Sequence, residues 1–167
     1  MSAPESLQDI YADELKDLWS ANDQMARSVK TLAARAHDPK LKQTLEASFA
    51  GISKHTDTLK GLLEKADEEA KPEKCQGMAG LVSEAEKHTA KEAPEDGELL
   101  DILVLSQYQR MCHYGISGFG TAATYAKALG MKEDEKTLKS IVDDIYKADE
   151  YAAKLAEKSE RAVAKAA

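Results

Sequence analysis

From Leu7 onward, apolar residues return every three or four positions: Leu7, Tyr11, Leu15, Leu18, Met25, Val29 and Leu32, with Asn22 filling the interval. That spacing places them on one face of a helix and predicts a first helix from Leu7 to Ala36. Ser6 stands where an N-cap belongs. His37-Asp38-Pro39 ends the helix, because a proline disfavours the α conformation in the residue before it. A second stripe, Leu41, Leu45, Phe49, Ile52, Leu59, Leu62 and Leu63, predicts a helix from Lys40 to Ala70, with His55 and Thr56 in its gap and Lys71-Pro72 as its break. A short amphipathic segment from Cys75 to His88 turns Met78, Leu81 and Val82 inward. Thr89 to Gly97, which contains Pro94, reads as a loop. The third long helix, Glu98 to Leu129, carries Ile102, Leu103, Leu105, Cys112, Ile116, Phe119, Ala123 and Ala126 inward, and Gly130 is a natural stop. The fourth, Asp134 to Ala164, turns Leu138, Ile141, Ile145, Ala148, Ala152 and Leu155 to the core.

Two helices, a long connection with a short helix, and two more helices make an all-α four-helix bundle with one crossover. The connection from Lys71 to Gly97 is long enough to run the length of the bundle, which is the ferritin-like topology. Residues 1–167 form one domain. The Ala/Lys/Glu-rich end, 157–167, has little to bury and is expected to fray.

Charge narrows the function classes. Lys+Arg 23 against Asp+Glu 30 gives a net charge of -7, a poor match to nucleic acid, whose binding needs a basic face. No apolar run approaches the ~18 residues of a membrane span. Met1-Ser2-Ala3-Pro4-Glu5-Ser6 has neither a basic nor an apolar leader region, so a cytoplasmic location is expected. The two cysteines, Cys75 and Cys112, form no CxxC, and free thiols are expected.

A ferritin-like bundle usually holds two metal ions at its centre. That chemistry needs about four inward carboxylates with some histidines, since hard cations take anionic oxygen. The inner stripes do not supply them. The first helix offers Asn22, with Asp23 about 100° away around the helix. The second offers Ser48 and Gly51 one turn before His55. The third offers Cys112 and Gly115, and the fourth Ile145 with Asp144 beside it. No ExxH occurs in the second or fourth helix.

Several stretches are similar to the YciF/DUF892 family of bacterial ferritin-like proteins: Asp13-Glu14-Leu15-Lys16-Asp17-Leu18, the run from Lys74 to Glu84 that begins Lys-Cys-Gln-Gly-Met, His113-Tyr114-Gly115-Ile116-Ser117-Gly118-Phe119-Gly120-Thr121, Ala128-Leu129-Gly130, and Asp149. The resemblance covers residues 6 to 157. Members usually read Ala-Glu-Lys-Gln-Leu at Ala21 to Met25, a His-Leu-Glu-Glu-Thr-like run at Ser48 to Ile52, Glu-His-Tyr-Glu-Ile at Cys112 to Ile116, and a Glu-Glu pair at Asp144-Ile145. The resemblance therefore implies that Asn22, Ser48, Gly51, Cys112, Gly115 and Ile145 occupy positions of metal ligands or their neighbours. A half-empty carboxylate cluster is worse than none, so six such changes imply a site dismantled as a unit.

The favoured expectation is a non-enzymatic, metal-free member of that family: a stress-associated scaffold or binding protein with an unidentified protein partner. It forms a homodimer through its first two helices, where Ile10 and Leu63 lie off the main stripes. The alternative is a metalloprotein holding iron or manganese, either in a non-standard site of His55, Cys112, His113 and Asp144 or as a di-iron oxidase or peroxidase. Gly51 and Gly115 each cost ~1 kcal/mol in a helix interior. They either let helices approach or leave a cavity lined by Trp19, Met25, His55 and Cys112, unless Tyr108 or Trp19 fills the space.

Overall fold

A computed structural model describes residues 3–66 and 74–166. It is an all-α, ferritin-like bundle of α1 (Leu7–Arg35), α2 (Pro39–Lys65), α3 (Gln76–Glu86), α4 (Gly97–Ala128) and α5 (Lys132–Ala166), with a π-helical turn at Lys87–Lys91 after α3. α1 pairs with α2 and α4 with α5. The chain ends identify the directions. His37, just past α1, meets the start of α4, while Tyr11 near the start of α1 bonds Asp134 near the start of α5. α1 and α4 are therefore antiparallel, and the connection from α2 to α4 crosses the bundle lengthwise. α3 lies along that path against α1 and α4.

Local chemistry sets the boundaries. The Ser6 hydroxyl accepts the Asp9 N–H and the Asp9 carboxylate accepts the Ser6 N–H, a reciprocal capping box. Asp38 caps α2, with Pro39 at its first position. Gly130 adopts φ +74°, the left-handed turn that stops α4. Asp101, near the start of α4, is buried, and its two carboxylate oxygens accept the N–H groups of His37 and Asp38, each at 2.7 Å. This clamps the α1–α2 hairpin to α4. A Cβ on Gly97 would stand 2.6 Å from the His37 ring, so the residue there must be small.

Some expectations shift. α2 is bounded at Lys65, where the Ala66 N–H bonds the carbonyls of Leu62 and Leu63. Residues 67–70 and the Lys71-Pro72 break lie outside the described residues. α5 continues helical through Ala166. On α4, Val104, Tyr108 and Met111 are fully buried, whereas Ile102 and Leu103 are half-buried. α4 packs against α1, α3 and α5 together, so its buried band is wider than a single stripe. Leu63 is completely buried, as its place in the α2 stripe predicts and against its expected place on a dimer face, and Ile10 is 39% exposed.

The interior falls into two clusters. One gathers Met25, Val29, Leu45, Ile52, Leu105, Tyr108, Met111 and Cys112. The other gathers Tyr11, Leu15, Leu18, Leu59, Leu63, Phe119 and Leu138. Among the described residues no helix is long and apolar enough to cross a membrane.

Candidate functional site

Where the first cluster faces the seam between α2 and α5, the packing opens into a cleft of about 680 Å³. α2 and α5 barely touch, so the seam admits solvent. Asn22 and Met25 from α1 and Tyr108, Met111, Cys112 and Gly115 from α4 form the floor. Ser48, Gly51, Ile52 and His55 form one wall, and Asp144, Ile145, Ala148 and Tyr151 the other. Asn22, Ser48, Gly51, Cys112, Gly115 and Ile145 thus meet at one place, although they come from four helices.

The two glycines do different things. A Cβ on Gly51 would meet nothing within 4 Å, so this residue leaves space open. A Cβ on Gly115 would lie 3.3 Å from the Ile145 Cδ1, so that residue admits the neighbouring helix. The expected cavity exists, with one correction to its lining. Met25, His55 and Cys112 line it, but Trp19 does not. Trp19 sits nearly one turn closer to the start of α1 than Asn22 and packs on the second cluster. The His55 ring stands edge-on to Phe119, centroids 6.2 Å apart, linking the end of the cleft to that cluster.

The floor is polar only where its groups are paired. The Ser48 and Tyr108 hydroxyls are 2.7 Å apart, and the Asn22 amide donates to the Ile52 carbonyl at 3.5 Å. Burial pushes the Cys112 thiol up to about 12, partly offset by the Tyr108 hydroxyl. Burial also raises Tyr108 well above its ordinary range. His55 Nε2 lies 3.6 Å from Asp144 Oδ2, whose carboxylate is 56% exposed. Desolvation lowers the histidine pKa, and the carboxylate opposes that shift.

The four residues of the alternative metal site are only partly assembled. His55, Cys112 and Asp144 border the cleft. His113 is on the outside of α4, 65% exposed, with its ring 2.9 Å from Asp149. Asp149 also accepts from Gln109, which accounts for this carboxylate without a metal. Among the described residues no group of three or more His, Cys, Asp or Glu is placed to hold an ion. One half-exposed carboxylate and one histidine do not fit a dinuclear centre, which needs several anionic oxygens converging on both ions.

Sequence reasoning missed the mouth of the cleft. Lys40, Lys54 and Lys147 border it, with the Lys40 ammonium 5.8 Å from the Tyr151 ring centroid. Lys40 and Lys54 lie off the α2 stripe, and only the splaying of α2 from α5 puts them beside an opening. The crossover motif has its own role. The Cys75 thiol donates to Asp17 at 3.2 Å and lies 3.0 Å from the Tyr114 hydroxyl, while its N–H donates to Ser20. Gly77 makes room for the Tyr114 ring, since a Cβ there would lie 2.6 Å from the hydroxyl oxygen. These contacts dock α3 on α1 and α4.

Comparison with known proteins gives a consistent picture. The family model described as a domain of unknown function, DUF892, matches residues 6–166. Protein YciF of Escherichia coli is 29% identical over 147 residues, with 83% of each chain covered. The crystal structure of the E. coli stress protein YciF superposes with a TM-score of 0.88 at 27% identity, covering 95% of this chain and 99% of that one. YcfI of Rhodopseudomonas palustris shares the fold, with a TM-score of 0.84 at 23% identity over 89% of this chain and 94% of that one.

Proposed function

The chain belongs to the DUF892 family, and from that premise we propose that it is a non-enzymatic member whose bundle centre is a binding cleft in place of a dinuclear metal centre. The observation that carries this reading is the convergence of Asn22, Ser48, Gly51, Cys112, Gly115 and Ile145 on one cleft. By the family resemblance these six positions, spread over all four long helices, are those of metal ligands or their neighbours, and here they hold small, apolar or neutral groups. Removing the anionic cluster as a whole avoids leaving uncompensated buried charge. The protein then acts through what it binds, as a stress-associated scaffold or binding protein of the bacterial cytoplasm. The stress association rests on the description of the E. coli relative as a stress protein.

Elemental analysis of protein purified without chelator tests the reading. Iron and manganese well below one ion per chain are expected, and about two ions per chain would overturn it. We further propose a homodimer formed through the first two helices. Ile10 supports this as an exposed apolar residue on α1, whereas Leu63 lies in the core and contributes nothing to such a contact. Light scattering at micromolar concentration checks it: a monomer mass would refute the pairing.

A further inference from the structure

The cleft has two chemically distinct parts. Its floor is apolar, with Met25, Ile52, Met111 and Ile145 around the space that Gly51 leaves open. Its few polar side chains are partly engaged with one another and with the backbone: the Ser48 and Tyr108 hydroxyls bond each other, and the Asn22 amide N–H donates to the Ile52 carbonyl. Such a floor holds water weakly and favours hydrocarbon.

The mouth is cationic. Lys40, Lys54 and Lys147 border it, against one carboxylate, Asp144. Asp144 is itself engaged, 3.9 Å from Lys147 and 3.6 Å from His55. The mouth thus carries a local excess of positive charge in a chain of net charge -7, and here that excess borders an apolar floor. At about 680 Å³ the space lies within the range of small-molecule sites.

We propose that the cleft binds an amphipathic monoanion, an alkyl carboxylate of medium chain length, with its hydrocarbon between Gly51 and Met111 and its carboxylate among the lysines. This deepens the binding-cleft reading above and rests on it. Charge complementarity at the mouth selects the head group, and the apolar floor supplies the affinity.

Calorimetric titration of the full chain with decanoate, decanol and decyltrimethylammonium, each below its aggregation concentration, tests the proposal. Decanoate is expected to saturate at one molecule per chain, at least about tenfold tighter than decanol, with the cation weaker still. Gly51→Leu fills the open space and should weaken decanoate at least about tenfold. Ala148→Phe on the opposite wall does the same by an independent route, should the first variant fold poorly. Lys54→Gln with Lys147→Gln should bring decanoate down to the level of decanol and leave decanol unchanged. Equal binding of decanoate and decanol, no decanoate binding, or unchanged binding in both filled variants would overturn the proposal. Metal-poor protein that ignores decanoate sinks this inference alone, whereas about two ions per chain sink the binding-cleft reading itself.

Discussion

Ile145 of α5 reaches so close to Gly115 of α4 that a Cβ on the glycine would stand 3.3 Å from the isoleucine Cδ1. The two helical glycines thus act in opposite ways. Gly115 brings two helices together on one side of the cleft, while Gly51 on the other side touches nothing and keeps α2 clear.

Helical glycines of this protein should therefore respond differently to the same change. Gly51→Ala should stabilise the chain by about 0.5–1 kcal/mol, since helix propensity improves without a clash. Gly115→Ala should be nearly neutral, because Ile145 can shift toward the open cleft. Gly118→Ala should destabilise by about 1–3 kcal/mol, since its Cβ would stand 2.5 Å from a Cδ of the buried Leu18. Urea unfolding midpoints of the three variants check the order.

The histidine at the end of the cleft gives stability a pH dependence. Burial holds His55 below its ordinary pKa despite Asp144. Between that lowered value and about 6.5 the unfolded chain binds more protons than the folded one, so stability falls as pH falls through this window. His55→Gln should flatten that part of the profile. Thermal melts of both proteins from neutral to mildly acidic pH provide the comparison, and identical slopes would contradict the assignment.

Asp101 holds the α1–α2 hairpin by two charge-assisted bonds to backbone N–H groups. Asp101→Ala leaves both amides without that partner and should cost about 3 kcal/mol. For a chain of this size that lowers Tm by about 6–12 °C. Asp101→Asn retains an acceptor oxygen and should lose less. Differential scanning calorimetry reads both.

Cys112 is buried, with its thiol pushed up to about 12. Burial raises Cys75 as well, although the Tyr114 hydroxyl opposes it. Because the thiolate is the reactive form, both should react slowly with a disulfide reagent at pH 8 in the native chain and rapidly after denaturation. Fast native labelling of Cys112 would show that the cleft floor is more open and more polar than described.

Much of this architecture is legible in the periodicity. The Leu7–Leu32 stripe, the Ser6 cap and the Gly130 stop all reflect local chemistry, and all stand where the spacing puts them. Spacing alone also allows Leu63 an exposed side, but α2 buries both adjacent positions, Leu62 and Leu63, so its buried band is wider than a single stripe. At the candidate site, Asn22, Gly51 and Cys112 could be assigned to the inner faces by helical phase alone. The lysine-bordered mouth could not, since it depends on the separation of α2 from α5, a tertiary feature. Trp19 was misplaced by less than one helical turn, which is enough to move a side chain from one core cluster to the other.

The most direct measurement is anomalous scattering from crystals soaked in manganese, collected to locate ions between the four long helices. No peak in the cleft bounded by Gly51, Cys112 and Ile145 is the predicted result. A pair of peaks there about 3.5–4 Å apart, held by acidic side chains, would contradict the account.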